Sequence, residues 1–280
     1  MTTLLKYLAF AILTFNVQCN IDGYNTIKGE GEVSEKEFDL STFEKASFAN
    51  GWDVKLVQAN ENKLMVKANE NLIEELKISE DDSYLKIGTK SKDNIGRADS
   101  KLITLYFSGD LKTLKASSGV NLFAQEQLKF NDIEISSSSG SDVELNVETK
   151  KLNCSSSSGS DMILKISSTD VMAKSSSGSD LIITGKSKSI NANSSSGSDL
   201  DLKGYTDSLT ANSSSGSDLD ATDLKAINVN ASASSGSNID VYPIETLVAK
   251  SSSGSDIKYH NKPSVKLEKN ESSGGDVSYK

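Results

Sequence analysis

Aspartate recurs at one fixed position of a repeated motif, and a carboxylate is a side chain suited to bind a cation. The motif reads Ser-Ser-Gly-Ser-Asp, with the aspartate two residues after the glycine. Stacked carboxylates repel one another unless hydrogen bonds or cations compensate their charge. The residues are Asp142, Asp161, Asp180, Asp199, Asp218, Asp256 and Asp276, with Asn121 and Asn238 at the same position of two further copies.

Two explanations of this aspartate ladder predict different chemistry. Each side chain would accept hydrogen bonds from the backbone or the serine hydroxyls of its own turn, and Asn238 favours this because an amide keeps the acceptor. Calcium is the alternative, as in repeats built from a nine-residue Gly-Gly-x-Gly-x-Asp motif. The aspartates here recur about every 19 residues instead. We therefore expect structural acceptors, no metal site and no cofactor, with calcium as the open alternative.

The sequence does not indicate an active site. A serine nucleophile needs a base, and the only histidine is His260 in the segment YHNKPSV, which we expect to face solvent. A glycosidase needs two carboxylates at a defined separation, and a regular ladder marks no such pair. Phosphate-binding loops, HExxH and cysteine–histidine clusters are absent from the sequence. We expect no catalytic residues.

The glycines of the motif set a period. Consecutive glycines lie 18 to 21 residues apart, and a fixed period near 20 residues predicts a solenoid whose coils bury their apolar sides by stacking. Glycine permits a positive φ at a tight corner, so we expect the glycines and aspartates to form a structural ladder. The glycines are Gly119, Gly140, Gly159, Gly178, Gly197, Gly216, Gly236, Gly254 and Gly274.

Apolar residues repeat in phase with the glycines. The seventh residue before each glycine from Gly140 onward is aliphatic, as at Leu152, and the fifth is small or apolar, as at Ala173, except at Lys269. The third and fifth residues after the glycine are also apolar, as at Leu181. Alternation of this kind predicts strands with one buried face. Each coil is a strand, a tight turn, a second strand and a short connection such as TGKSKS, which gives an all-β parallel β-helix with coils of about 19 residues and two main sheets.

One continuous domain is expected. Residues 116–280 form the repeat, and residues 28–115 form less regular N-terminal coils because they carry alternating runs such as DVKLVQ and KLITLYF. The segment NENLIEELKI is expected to form one helical turn.

Residues 1–19 are predicted to be a signal peptide. Lys6 precedes the apolar run YLAFAILTF, which is too short to span a bilayer and suits a secretory signal. Cleavage after Cys19 and lipidation of Cys19 both remain open. Either outcome leaves Cys154 without a disulfide partner, and its place in the alanine column predicts a small buried core residue.

The segment from about Phe38 to Val265 resembles a known family. It opens with FEKASFANGWDVKLVQ (from Phe43) and continues into the Gly-Ser-Asp repeats. This pattern is similar to the head GIN domain family of auto-transporter adhesins, whose corner usually reads SGASD where this chain has SSGSD. The resemblance implies a right-handed β-helix of two sheets without recognised catalytic residues, and a role in adhesion.

Charge and resemblance together limit the function. A net charge of −9 and a pI near 4.8 argue against nucleic acid, whose phosphates would be repelled. We expect a non-enzymatic, exported, adhesin-like protein of the periplasm, outer membrane or cell surface that binds a glycan or a protein through its elongated repeat face. A lipid anchor and oligomer formation remain open. The alternatives are a polysaccharide-active β-helix enzyme, a lyase or a glycosidase, and a calcium-stabilised surface repeat protein.

Overall fold

A computed structural model describes residues 26–280. The predicted signal peptide, including Cys19, lies outside these described residues. The described part of the chain is almost entirely strand, with one short helix. The elements before the regular repeat are β1 Thr26–Ile27, β2 Val33–Asp39, β3 Lys45–Phe48, β4 Asp53–Gln58, β5 Lys63–Asn69, α1 Glu70–Glu75, β6 Leu76–Asp81, β7 Tyr84–Thr89, β8 Asn94–Ile95, β9 Lys101–Phe107, β10 Thr113–Ser117, β11 Asn121–Phe123 and β12 Leu128–Lys129.

The repeat itself is a parallel β-helix, as the glycine period predicts. Its strands pair in parallel and in register, so that Asp161 aligns with Asp142 on one side and with Asp180 on the other. The strands are β13 Asp132–Ser138, β14 Asp142–Ser157, β15 Asp161–Ser176, β16 Asp180–Ser195, β17 Asp199–Ser214, β18 Asp218–Ser234, β19 Asn238–Ser252, β20 Asp256–Tyr259, β21 Lys266–Ser272 and β22 Asp276–Tyr279.

The predicted short connection between the two strands of a coil is instead part of one long strand. β16 runs through the connection without a break, because its residues pair with those of the next coil, as Gly185 does with Gly204. The backbones approach closely there. A Cβ on Gly204 would lie 1.9 Å from the carbonyl oxygen of Gly185, so this position requires glycine.

The predicted core columns point inward. Leu152, Ala173, Leu181, Ala192 and Leu200 have no exposed surface. Full burial of a leucine side chain contributes about 1.5–3 kcal/mol, but one coil contributes only a few such side chains. The coils therefore form a shared core only by stacking.

The N-terminal region continues the stack for two further coils and then changes architecture. β3 pairs in parallel with β10, and β4 pairs in parallel with β11. On their other side, β3 pairs in parallel with β7, and β4 pairs in parallel with β9. However, β2 pairs with β5, β5 with β9, and β6 with β7 in antiparallel fashion. The expectation of coils throughout residues 28–115 is therefore only partly correct. An alternating apolar pattern identifies a strand with one buried face and does not specify the direction of its partner.

Two local features of this region bear on the predictions. α1 confirms the helical turn expected in NENLIEELKI, and it buries Leu72 completely in the core. The first glycine corner of the stack is at Gly51, whose aspartate, Asp53, aligns with Asn121. The glycine column thus begins one coil before Gly119.

We predict that Ala192→Asp destabilises the protein far more than Asn191→Asp. Ala192 is buried and its neighbour Asn191 is exposed on the same strand, so the two variants place the same charge on opposite faces. An unpaired carboxylate in the core costs several kcal/mol, whereas surface changes usually stay within about 0.5 kcal/mol. Thermal unfolding measures both, and equal losses would contradict the inward assignment.

Candidate functional site

Each repeat corner contains two successive residues in the left-handed region. In the coil of Gly178, Ser177 has a φ of 60° and Gly178 a φ of 64°. Positive φ at both central residues is the geometry of a tight type I′ turn. The same pair of positive φ values occurs at every repeat corner from Gly119 to Gly274.

A buried pair of serines holds the corner in this conformation. Ser179 Oγ accepts a hydrogen bond from the backbone N–H of Ser176 (3.2 Å) and donates to the Ser176 carbonyl (2.9 Å). Ser175 Oγ lies 3.0 Å from Ser179 Oγ. Both side chains are at most 2% exposed. The serines around the glycine therefore satisfy buried polar groups, as serine side chains do in place of water.

The coil of Gly236 shows how the arrangement tolerates a lost hydroxyl. Ala233 replaces the first serine of the pair there. Ser237 Oγ still accepts from the Ser234 N–H (3.2 Å), but it now donates to the Ser213 carbonyl of the preceding coil (2.8 Å). The hydroxyl after the glycine is thus the constant element.

Two backbone hydrogen bonds stack each corner on its neighbours. The N–H of Gly178 donates to the Ser196 carbonyl in the next coil (3.3 Å), and the N–H of Asp180 donates to the Ser160 carbonyl in the preceding coil (3.1 Å). The structure therefore confirms that successive turns stack in register. The glycines and aspartates of the motif supply the backbone N–H groups for this stacking.

The aspartate side chains do not play the structural role expected of them. Among the described residues, no corner N–H or serine hydroxyl donates to the carboxylates of Asp180, Asp199 or Asp218, and these three residues are exposed. The corner donors are already used by serine oxygens and by neighbouring coils. One ladder contact exists: Asn238 Nδ2 donates to Asp218 Oδ1 at 2.8 Å.

A second row of aspartates lies beside the ladder. Asp201 and Asp220 are adjacent in register and two residues beyond the ladder positions. With Asp180, Asp199 and Asp218 they line a shallow depression of about 270 Å³. We call the surface formed by these five residues the acidic face.

The carboxylates of this face repel one another. Partial burial raises the pKa of Asp199 above its ordinary value, and the neighbouring carboxylates of Asp180 and Asp218 raise it further. Burial also raises the pKa of Asp201, with a second contribution from Asp220. The free protein therefore carries electrostatic repulsion here that a cationic partner would relieve.

In the coils of Gly197, Gly216 and Gly236, the outward side chains on the other side of the corner are neutral. Asn193 Nδ2 donates to Asn191 Oδ1 (3.0 Å), and Asn212 Nδ2 donates to Asn193 Oδ1 in the preceding coil (3.1 Å). Thr210 and Asn230 continue this surface along the stack. We call these five residues the amide face.

His260 is not the solvent-facing residue expected from the sequence. Its side chain is only 19% exposed, and its Nε2 lies 2.6 Å from Asp240 Oδ1. Asp240 is 20 residues earlier, one coil away, so this contact follows from the register of the stack.

Cys154 is the buried core residue that the alanine column predicts. It is 2% exposed and is a free cysteine. Burial raises the pKa of its thiol to about 12, which keeps it protonated and unreactive at neutral pH.

A surface depression near the N-terminal strands was not predicted. It measures about 450 Å³, and its lining includes Phe38, Leu40, Ile73 and Ile78, with Lys36, Glu74 and Lys90 among its charged residues. Lys90 Nζ is held by the Glu74 carbonyl at 2.5 Å. Residues from β2, α1 and β6 meet here through antiparallel pairing, which the sequence pattern does not specify.

We predict that Asp199→Asn raises the unfolding temperature at pH 7 and not at pH 3. Because the pKa of Asp199 is raised on folding, the folded state holds this proton more tightly than the unfolded state. The resulting stabilisation is complete below the unfolded pKa of about 3.8 and is lost as the pH rises through the folded pKa. Thermal unfolding across this range tests the prediction, with Asp223→Asn, an exposed aspartate outside both rows, as control. The same difference at both pH values would contradict it.

We also predict that a chelator leaves the unfolding temperature unchanged. No group of three or more histidine, cysteine, aspartate or glutamate side chains within residues 26–280 is arranged to hold a metal ion. If calcium were required, stability would rise with its concentration by mass action. A calcium-dependent rise that disappears in the Asp180→Asn, Asp199→Asn, Asp218→Asn triple variant would establish the calcium alternative instead.

Several solved structures share this fold. One described as a putative lipid binding protein from Parabacteroides distasonis has a TM-score of 0.67 and 19% identity, covering 91% of this chain and 100% of its own. One described as a putative adhesin from Parabacteroides merdae has a TM-score of 0.65 and 20% identity, covering 91% and 99%. A second putative adhesin from P. distasonis has a TM-score of 0.66 and 15% identity, covering 89% and 100%. At these identities the likeness shows the fold alone.

In the described part of the chain, no helix has the length and apolar character needed to cross a membrane.

Two comparisons use the amino-acid sequence. A search of curated proteins finds no match. The family model described as "Putative auto-transporter adhesin, head GIN domain" matches residues 42–167 and 163–263. These matches span most of the chain and confirm the resemblance seen in the sequence, and the protein therefore belongs to the head GIN domain family.

Proposed function

We propose that this protein is an exported, non-enzymatic, adhesin-like protein that binds a partner at the cell surface through the outward faces of its β-helix. One observation carries the proposal. From Gly119 to Gly274 the corners and the strand residues beside them stack in register, so that the aspartates of the ladder repeat along one outward face at the strand spacing of about 4.8 Å. Extended regular surfaces of this kind are the binding surfaces that solenoid proteins use.

Export is supported by the sequence. Residues 1–19 have the basic start and short apolar run of a secretory signal, and the family description is that of an auto-transporter adhesin. Acylation of Cys19 would retain the protein at a membrane, whereas cleavage after Cys19 would release it into the periplasm or the medium.

The acidic face is the surface that we assign to the partner. Its carboxylates are exposed or half-buried, repel one another and accept few internal hydrogen bonds. A partner with lysine or arginine side chains would relieve this repulsion and gain complementary attraction. The asparagine side chains of the amide face already hydrogen-bond to one another. This face therefore gains less from a charged partner, and it serves as the control surface.

We predict that neutralising the acidic face weakens binding to cell-surface material by about tenfold or more. The variant is Asp180→Asn, Asp199→Asn, Asp218→Asn, and the matched control is Asn191→Ser, Asn193→Ser, Asn212→Ser on the amide face. The purified protein is tested on a glycan array and against surface proteins, with the unfolding temperature confirming that each variant is folded. Binding to a protein that is lost only in the acidic-face variant supports the proposal. Binding to a neutral glycan that is lost only in the amide-face variant would move the contact to the other face.

A further inference from the structure

The last coil of the described residues departs from the repeat at three inward positions. Lys269 aligns with Ala249, and Glu271 aligns with Ser251. Gly275 follows the corner glycine, Gly274, where the other repeat corners from Gly140 onward have serine. Charged residues thus occupy two columns that are small and buried in the preceding coils.

These two charged side chains reach across the end of the core to one residue of β22. Lys269 Nζ donates to the carbonyl of Val277 at 2.7 Å, and the N–H of Val277 donates to Glu271 Oε1 at 3.0 Å. Lys269 Nζ also lies 4.9 Å from the centre of the Tyr259 ring, within the range of a cation–π interaction. We call Lys269 and Glu271 the clasp.

The peptide groups that the clasp occupies face away from the stack. The N–H groups of Asp276 and Lys280 donate back to Ser255 and Tyr259 of the preceding coil. Alternate residues of a strand direct their peptide groups to opposite sides, so the N–H and carbonyl of Val277 point to the side where another strand would pair. An unpaired strand edge is a template for pairing with another chain.

The corner of this coil lies very close to the backbone of the preceding coil at Ser251. A Cβ on Gly275 would lie 2.5 Å from the carbonyl carbon of Ser251, so the serine of the ordinary corner does not fit. The glycine and the clasp are therefore parts of one local departure from the repeat.

Apolar surface surrounds the clasp. Val265 is 73% exposed, Leu267 45% and Tyr279 52%, and all seven residues of β21 are exposed. A second copy of this chain, pairing at the same end, would bury these side chains and complete the edges of β21 and β22. The N-terminal end of the stack has antiparallel strands instead. The C-terminal end of one copy would therefore pair with the C-terminal end of the other, where both copies present the same strands.

We propose that the clasp closes the C-terminal end of the β-helix against strand addition by a second copy of this chain. Inward-pointing charges at a sheet edge oppose such pairing because docking would bury them. Here the same charges also satisfy the edge N–H and carbonyl of Val277, so a strand that paired at this residue would have to break these two hydrogen bonds.

The test restores the repeat at the two clasp positions. Lys269→Ala with Glu271→Ser gives the last coil the residues of the preceding coil, Ala249 and Ser251. The matched control is Lys266→Ala with Glu268→Ser, which removes the same two charges from the outward side of β21, where they form an ion pair at 2.7 Å. Mass is measured by light scattering over a concentration series, with circular dichroism as the check of folding.

The clasp variant is expected to associate as concentration rises, while the wild type and the control keep a smaller and constant mass. A folded clasp variant whose mass equals that of the wild type at every concentration would overturn the proposal. So would a wild type that associates to the same extent as the variant.

Hydrogen exchange at the Val277 amide keeps the proposal testable if the double variant does not fold. Glu271→Gln keeps an acceptor for this amide and Glu271→Ala removes it. We expect exchange to be slow in the wild type and in Glu271→Gln, and about tenfold or more faster in Glu271→Ala. A Val277 amide that exchanges as fast in the wild type as in Glu271→Ala would show that the clasp does not form.

Discussion

Every regular coil depends on one buried hydroxyl at its corner. The serine after the glycine is at most 1% exposed in all seven coils from Ser141 to Ser255. In the coil of Gly178 this hydroxyl accepts a hydrogen bond from the N–H of Ser176 and donates one to its carbonyl. Leaving a buried polar group without a partner costs about 1–3 kcal/mol, and this cost would recur at each corner. Serine is small enough to sit inside the turn and polar enough to satisfy it.

The corner fixes the register, and the register then fixes the surface. Because each corner stacks on the next through the backbone groups of the glycine and the aspartate, the residues beside each corner lie directly over their counterparts one coil away. Inward positions become columns of leucine and alanine. The aspartates occupy an outward position that alternates with a buried one, and they therefore form an exposed row. The repulsion on the acidic face is thus a consequence of the corner.

The sequence period made the regular part of this fold predictable. Contacts that do not follow the period could not be predicted from it. The glycine spacing and the core columns follow from the repeat. The corner at Gly51 was missed because Ala49 and Asn50 stand where every later coil has two serines before the glycine, so the motif is not recognisable there. The antiparallel pairing of β2, β5 and β6 was missed because alternation is the same for either strand direction. The contact of His260 with Asp240 could have been predicted from the sequence, because the two residues are one coil length apart.

The two ends of the stack solve the same edge problem in different ways. The N-terminal end changes the direction of its strands and adds α1, which takes several elements and many residues. The C-terminal end keeps the parallel register of the repeat and changes the side chains that fill its inward columns: Lys269 and Glu271 satisfy the edge group that an additional coil would otherwise need to pair. In the proposed role of the clasp, a few substitutions within an ordinary repeat are enough to oppose further strand pairing. Both ends of the described stack depart from the repeat. The regular surface therefore lies on the outward faces, where we place the proposed partner contact.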